Sequence, residues 1–439
     1  MTVPPRRAFV LGGGVAGLTA ALGLRERGLQ VTLLESRGWL GGRAFSFVDH
    51  ATGARLDNGP HAMLGCYGAM RRLLRALGTE ELFQRGRSLT VAYRTAKGHA
   101  SRLRLWPLPV PVAMPWALAA VPLGFGGKLR AVRGLLGVLQ GALADETVAS
   151  WLSRCGQLGT PDAFFWRPLC RAIMNVEPAD ASAQLFLATL REAFTGSAAA
   201  GAFWLPKRPW GEIVGDAAQR ELPRRGVEVR LHARVVLLET VGGRVAGIAL
   251  GDGERLAVGA GDVVVSAMPW QALGKLLGEP PFASLQSSPI VSIWFKFAAP
   301  PAAVPDEGSM VALVDGEPFH FLFRRPGAPL TEFWLLAGGN RAFDGMRVDA
   351  IEQAARAQLA RHYPGFGIDP VAQVRVAKEA RATFVPSPAA LRMRPLPGRL
   401  AGGPANLLVA GDWTACGLPS TLEGAARSGE AVVRQVGAR

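Results

Sequence analysis

The sequence predicts an α/β protein, and three observations support that prediction. Residues 8–34 contain a short apolar strand, a glycine loop, a helical pattern and a second strand, which is the βαβ order of a Rossmann-like domain. A strand, a turn and a glycine-rich helix follow at residues 407–429. The 439 residues, 49% of them hydrophobic, also leave room for an inserted α+β domain.

The first glycine loop has the composition of a pyrophosphate site. Gly12, Gly14 and Gly17 stand in G-x-G-x-x-G spacing after the first strand, and Val15 and Ala16 open the helical pattern. Gly12 allows the tight turn, Gly14 a close backbone approach, and Gly17 close packing of helix on strand. The helix would then present free N–H groups and a positive dipole end to the anion.

Glu35 ends the second strand, eighteen residues after Gly17. At this place a βαβ unit has the carboxylate that accepts hydrogen bonds from an adenosine ribose. The same carboxylate would repel a 2′-phosphate, which argues against NADP.

The segment S-R-G-W-L-G-G-R after Glu35 resembles the glycine-arginine extension of the FAD-dependent amine oxidase and carotenoid desaturase superfamily, a GR2-type flavoprotein group. The alternative is a basic surface loop. The resemblance implies FAD as the cofactor, with this segment along its pyrophosphate and ribityl chain. The implied contacts are Ser36, Arg37, Gly41, Gly42 and Arg43.

The segment LDNGPHAMLGCY at residues 56–67 narrows the resemblance to the hydroxysqualene dehydroxylases, which carry D-N-G-Q-H-x-x-x-G-x-Y at this place. Pro60 replaces the usual glutamine, which puts any role of that side chain in doubt. The resemblance implies that Asn58 and Gly59 lie beside FAD. The positions in register are Asp57, Asn58, Gly59, His61, Gly65 and Tyr67.

The segment A-G-D-W followed by L-P-S-T-L-E-G-A-A-R-S-G is similar to the same group. The resemblance implies that Gly411 and Asp412 contact the ribityl or pyrophosphate part of FAD, and that the last helix points its N-terminus at the flavin. Val235 would offer its backbone to the adenine. The remaining implied contacts, at the helix N-terminus, are Pro419, Ser420, Thr421 and Leu422.

Composition restricts the partners and the compartment. The net charge is +15, but no basic run of five residues or nucleic-acid module occurs, which argues against nucleic acid. The four cysteines lie far apart, as in a reduced cytoplasmic protein, and neither they nor the six histidines have metal-ligand spacing. We expect no metal, and the sequence does not indicate the oligomeric state.

Residues 105–127 carry no charge, but their five prolines would each cost about 3 kcal/mol in a helix interior, which argues against a spanning helix. Cations on both sides predict peripheral contact with the inner face of the cytoplasmic membrane. An apolar wall of a substrate tunnel is the alternative.

The predicted FAD-binding domain is discontinuous, with residues 1–84, 225–275 and 395–439. Residues 85–224 and 276–394 would form the substrate domain. Within the first domain, the alternation in Gly226–Val235 predicts one strand, and Arg244–Leu256 a hairpin.

The resemblance implies that reduced FAD removes the hydroxyl of hydroxysqualene, an apolar isoprenoid, to give squalene for hopanoid synthesis. Hydroxide leaves poorly, so the site needs a proton donor. The candidates are His61 and Asp57, with Tyr67 behind them. Two alternatives remain: a phytoene-type isoprenoid desaturase, and a non-catalytic prenyl-lipid carrier of the GDP dissociation inhibitor type.

Overall fold

The computed structural model describes residues 6–106, 113, 124–194, 197–301, 308–364 and 371–437. In chain order, their strands are β1 (Arg7–Leu11), β2 (Gln30–Leu34), β3 (Ser46–Val48), β4 (Arg55–Asp57), β5 (Met63–Leu64), β6 (Phe83–Arg85), β7 (Thr90–Thr95), β8 (Ala100–Arg104), β9 (Phe203–Pro206), β10 (Val227–Arg230), β11 (Val235–Val241), β12 (Arg244–Leu250), β13 (Arg255–Ala257), β14 (Val263–Ser266), β15 (Ser287–Phe297), β16 (Met310–Val314), β17 (Phe321–Phe323), β18 (Glu332–Gly338), β19 (Val371–Phe384), β20 (Gly398–Arg399) and β21 (Leu407–Val409).

The helices of the same residues are α1 (Val15–Glu26), α2 (Gly68–Ala76), α3 (Gly124–Gln140), α4 (Val148–Arg154), α5 (Arg167–Met174), α6 (Ala183–Phe194), α7 (Ala217–Arg224), α8 (Trp270–Leu276), α9 (Val348–His362), α10 (Pro388–Met393) and α11 (Leu422–Gln435). Shorter helical turns occur at Glu80–Leu82, Asp162–Trp166, Gly211–Asp216, Pro281–Ser284 and Arg341–Phe343. Within the described ranges, no helix is long and apolar enough to cross a bilayer.

The first sheet has the order β10-β2-β1-β14-β21-β20, and all its pairs are parallel except β20 with β21. Its central strands are buried apolar runs, as expected for strands covered on both faces. Because parallel strands end at the same edge, the loops after β1, β2, β14 and β21 meet there, where α/β proteins bind ligands.

The second sheet has the order β19-β15-β18-β17-β16-β7-β8. Its longest strands, β15 and β19, are antiparallel, and a shift of register interrupts their ladder between Ser288 and Ile290. An apolar core that includes Ile351, Ala355 and Leu359 of α9 covers one face. The α/β prediction is therefore confirmed, with this second sheet, antiparallel except for the β16–β7 pair, as the additional layer.

One predicted strand, Gly226–Val235, is wrong. β10 stops at Arg230, and His232 takes a positive φ of 57° that turns the chain out of the first sheet. β11 then begins at Val235 in a separate sheet with the order β11-β12-β13. One hairpin in this sheet joins β11 to β12, where Gly242 and Gly243 both have the positive φ that a tight turn requires. A second hairpin joins β12 to β13, so the hairpin predicted for Arg244–Leu256 is confirmed.

The strands of the first sheet come from the three ranges predicted for the FAD-binding domain, and those of the second from the substrate ranges. However, Trp204, Trp210 and Leu222 pack in the same apolar core as β1 and α1. The predicted boundary at residue 224 therefore lies inside that core, and the other boundaries stay predictions.

Candidate active site

The glycine loop after β1 leaves no room for a side chain at Gly12 or Gly17. A Cβ on Gly12, whose φ is +106°, would lie 2.9 Å from the carbonyl oxygen of Ala267. A Cβ on Gly17 would lie 1.9 Å from the carbonyl oxygen of Gly12. The start of α1, including the buried Val15 and Ala16, is thereby held against the end of β1. This is the close helix-strand packing that a phosphate loop requires.

A second glycine turn lies against the first. The Gly41 amide donates to the Gly13 carbonyl over 2.8 Å, and a Cβ on Gly42 would lie 2.9 Å from the Cα of Gly14. The two backbones therefore approach without side chains between them. We call residues 12–17 and 41–43 together the glycine cradle. Its bare backbone fits the pyrophosphate of FAD, to which it would offer the N–H groups of α1.

Glu35 braces the cradle from the end of β2. Its buried carboxylate accepts from the Gly13 amide over 2.7 Å, from the Arg37 amide over 2.9 Å and from the Ser36 hydroxyl over 3.1 Å. The Glu35 carbonyl oxygen also accepts from the Ala233 amide over 2.8 Å, which brings the chain before Val235 to this edge. The acid thus lies where a ribose would follow the pyrophosphate, and its contact with FAD stays a prediction.

Arg43 and Asp412 join the two ends of the chain. Their side chains form an ion pair across 369 residues, and Arg43 also donates to the Ala382 carbonyl over 2.6 Å. The Asp412 side chain is only 7% exposed, and the Gly411 amide donates to the Ser428 hydroxyl over 2.8 Å. The C-terminal motif is therefore held directly beside the glycine cradle, and its contact with FAD stays a prediction.

Helix α11 begins next to this pair. The Thr421 hydroxyl caps it by accepting from the Gly424 amide over 3.0 Å, and Ser420, between Pro419 and the capping residue, accepts from the Phe384 amide. Leu422 is the first helical residue. The next residue, Glu423, is buried and accepts from the Ala69 and Met70 amides at the start of α2. One carboxylate therefore locks two helix N-termini together.

Asp57 is held by one ion pair and two hydrogen bonds. One of its oxygens accepts from the Ser46 hydroxyl over 2.6 Å and from the Trp210 amide over 2.7 Å. The other accepts from Arg325 over 3.0 Å. The two charged side chains are only 3% and 12% exposed. Donating a proton would require Asp57 to exchange this ion pair for a neutral contact, which argues against its predicted role as the acid.

Two polar atoms on the same segment are buried without a hydrogen-bond partner among the described residues: Asn58 Oδ1 and His61 Nδ1. The Asn58 backbone is fixed, because its carbonyl oxygen accepts from the Ser292 hydroxyl over 2.9 Å, and Gly59 lies against the same serine. Buried polar atoms normally have partners. Their orphaned state fits a segment that meets a bound group, as predicted for FAD and substrate.

Trp210 holds His61 in place. Its indole N–H donates to the His61 carbonyl over 3.1 Å, and the two rings meet edge to face at 5.7 Å. Burial lowers the pKa of the His61 imidazole, and the nearby Arg43 acts in the same direction, against the Asp57 carboxylate. Tyr67 precedes α2, and burial raises the pKa of its hydroxyl. Tyr67 therefore keeps its proton, whereas His61 carries an acidic proton only at a pH below its lowered pKa.

Sequence reasoning missed Arg394, which is 6% exposed and has no carboxylate partner among the described residues. It donates to the carbonyls of Trp413, Thr414 and Leu418, and so shapes the loop between Asp412 and α11. Burial lowers the pKa of its guanidinium. With 43 arginines in the chain, no sequence signal separates it from its neighbours.

A cavity of about 720 Å³ lies away from these groups. Its lining includes Arg7, Gln30 and Val263, at the amino ends of the parallel strands. The glycine cradle lies at their carboxyl ends, so we do not assign the chemistry to this cavity. In the described part of the chain, no cluster of three or more His, Cys, Asp or Glu side chains could hold a metal ion.

Comparison with known proteins defines the class. The family model of flavin-containing amine oxidoreductases matches residues 15–437. A crystal structure of an oxidoreductase from Methanosarcina mazei superposes with a TM-score of 0.76 at 14% identity, covering 98% of this chain and 100% of the other. The chain belongs to the flavin-containing amine oxidoreductase family. It is a FAD-dependent oxidoreductase, so the predicted cofactor is confirmed.

Within the family, the chain is similar to the hydroxysqualene dehydroxylase of Sinorhizobium fredii, with 30% identity over 97% of each protein. This match confirms the resemblance found in the sequence. The zeta-carotene desaturase of a Synechocystis strain is 25% identical to this chain, and the match covers 62% of this chain and 59% of the desaturase.

Proposed function

We propose that the protein reduces hydroxysqualene to squalene with reduced FAD. One observation carries this proposal: the similarity to a hydroxysqualene dehydroxylase extends over 97% of both proteins. The Asp57 to Tyr67 segment resembles the same group in sequence. In the overall balance, one hydride and one proton are taken up, the C–O bond breaks and water leaves. The bound flavin supplies the hydride.

The task left to the protein is to deliver the proton to the leaving oxygen in a dry site. We assign it to His61, because its Nδ1 is buried without a hydrogen-bond partner among the described residues and the Trp210 ring packs edge to face against its imidazole. Tyr67 is the second candidate. Asp57, together with Arg325, positions the backbone that carries Trp210.

The donor is tested with His61→Ala and Tyr67→Phe, both loaded with FAD. We expect the first to lose about 10²–10⁴-fold in kcat and the second much less. Because burial lowers the pKa of His61, the active imidazolium is lost as the pH rises through a value below about 6.5. The wild-type kcat should fall there, and the His61 variant should lack this limb. Full turnover by His61→Ala with FAD bound would exclude the residue.

The reaction is tested without oxygen. Chemically reduced enzyme receives hydroxysqualene, oxidised enzyme receives phytoene, and the products are identified by mass. Squalene from the first mixture alone supports the proposal. A desaturated product from the second alone would establish the desaturase alternative, which the partial similarity to zeta-carotene desaturase favours.

A non-catalytic prenyl-lipid carrier has no need for the glycine cradle, and we do not propose that function.

We also propose that the substrate arrives from the inner face of the cytoplasmic membrane, since a molecule of this class resides in lipid. The segment first predicted for this contact, residues 105–127, lies mostly outside the described residues. The features that support this proposal are the cations on both sides of the segment and the helix that follows it.

A further inference from the structure

Helix α3 turns its small residues toward the protein. A Cβ on Gly134 would lie 2.5 Å from Gln157 Oε1, and one on Gly137 would lie 2.8 Å from Cys155 Sγ. The bare face lets the helix lie close against α4 and the residues that follow it. The buried positions are Gly127, Ala131, Gly134, Gly137 and Val138.

Four large apolar side chains of α3 point outward instead. Phe125 is 87% exposed, Leu129 65%, Leu136 58% and Leu139 64%, and Leu143 just beyond the helix is 62% exposed. Their spacing of three, four or seven residues places them on one face, which we call the leucine stripe. A surface helix normally has the opposite arrangement, with polar residues outside. A contiguous exposed apolar patch of this kind indicates an interaction surface.

Cations border the leucine stripe, and the first acids after it, Asp145 and Glu146, are both paired with arginines. Lys128 lies on one side of the stripe and Arg133 on the other, with Arg130 beyond it. From residue 82 to residue 144 the sequence has nine lysines and arginines and no aspartate or glutamate. The first acid, Asp145, forms an ion pair with Arg392. The partner of this surface should therefore be both apolar and anionic.

We infer that α3 lies in the plane of an anionic lipid bilayer, with the leucine stripe in the acyl boundary and its cations at the headgroups. A second copy of the chain would bring the same cations face to face, so charge argues against a dimer through this stripe. The inference rests on the proposed function, because an apolar isoprenoid substrate gives the enzyme a reason to meet lipid.

Helix α6 links this surface to the candidate active site. Arg191 donates two hydrogen bonds to the Val138 carbonyl near the end of α3, over 3.1 and 2.9 Å. The next residue, Glu192, forms a two-pronged ion pair with Arg427 of α11, over 2.7 and 2.6 Å. A protein docked through α3 therefore holds the cofactor helix at a fixed distance from the membrane.

The test is flotation of the full FAD-loaded chain with vesicles of phosphatidylcholine, alone or mixed with phosphatidylglycerol. We expect binding to the anionic vesicles that weakens with salt. The double variant Leu129→Gln/Leu136→Gln should bind about tenfold more weakly or worse. Arg130→Gln/Arg133→Gln should lose about fivefold for each cation removed. The matched control, Val348→Gln/Leu396→Gln, removes side chains of similar exposure elsewhere and should bind as wild type.

Three results would overturn the inference. The first is equal vesicle binding by the leucine variant and the control, and the second is a wild-type dimer that only the leucine variant dissociates. The third is a monomeric wild-type protein that does not bind vesicles and whose stability the leucine substitutions lower. Turnover of detergent-dispersed hydroxysqualene is measured in parallel. Vesicle binding without turnover would contradict the proposed function alone. Turnover without vesicle binding would contradict the membrane inference alone.

Discussion

Replacing Asp57 by asparagine tests whether this carboxylate stabilises the fold rather than supplying the proton. The change preserves the size of the side chain. The amide oxygen can still accept from Ser46 and from the Trp210 amide, as Oδ1 does now. The amide nitrogen would then point its N–H groups at the Arg325 guanidinium, which is also a donor. The variant therefore loses one ion pair and leaves a buried cation unpaired.

The burial of the pair sets the expected cost. Because its side chains are only 3% and 12% exposed, we expect Asp57→Asn to lower the free energy of unfolding by about 3–5 kcal/mol. The control is Glu81→Gln, which breaks the Arg85 pair at the surface, where the side chains are 39% and 85% exposed. That change should cost about 0–1 kcal/mol.

The assay is urea unfolding of the FAD-loaded protein, followed by flavin release and by circular dichroism. Arg325→Met should be similarly destabilising, whereas the double variant with Asp57→Asn should cost less than the sum, since neither charge is then left alone. The folded fraction of Asp57→Asn should keep most of its kcat. A variant as stable as Glu81→Gln that has nonetheless lost turnover would refute this reasoning and restore Asp57 as the acid.

Three further predictions concern the cradle, the buried histidines and the C-terminal loop. Gly42→Ala should abolish FAD retention, whereas Gly53→Ala, at a similar positive φ but with open space, should cost only about 1 kcal/mol of stability; absorbance of the purified variants measures this. Burial lowers the pKa values of His320 and His362, so the unfolded chain binds more protons than the native one below about pH 6.5. Stability should therefore fall as the pH decreases through that range, and glutamine at both positions should flatten the urea midpoint against pH. Arg394→Met should leave three carbonyls unsatisfied and cost about 2–4 kcal/mol, and an unchanged urea midpoint would contradict this role.

The parts of the site that could be predicted from sequence are those in which the separation of the residues along the chain determines how they lie in space. Gly12, Gly17 and Glu35 lie within one βαβ unit, so their separation determines how they meet. The Gly226–Val235 strand was mispredicted because its alternation continues through His232, whose positive φ breaks the ladder. The alternation of apolar and polar residues carries no information about a single residue with left-handed backbone conformation.

The other errors and omissions concern partners that are distant in sequence. The sequence alone makes Asp57 a candidate acid, because its ion-pair partner Arg325 lies 268 residues away along the chain. Arg394 could not be singled out, because burial distinguishes it and composition does not. In α3, the sequence shows apolar residues on two faces, and only the packing shows that the smaller ones face the protein.

The Arg43–Asp412 pair has a consequence for how the protein is made. A ribosome releases the glycine cradle early, whereas Asp412 follows 369 residues after Arg43, and α11 begins later still. Until then the nascent chain lacks the Arg43–Asp412 ion pair. We therefore expect FAD to be loaded after translation. A chain truncated before Asp412 would carry an intact βαβ unit and accumulate as colourless protein.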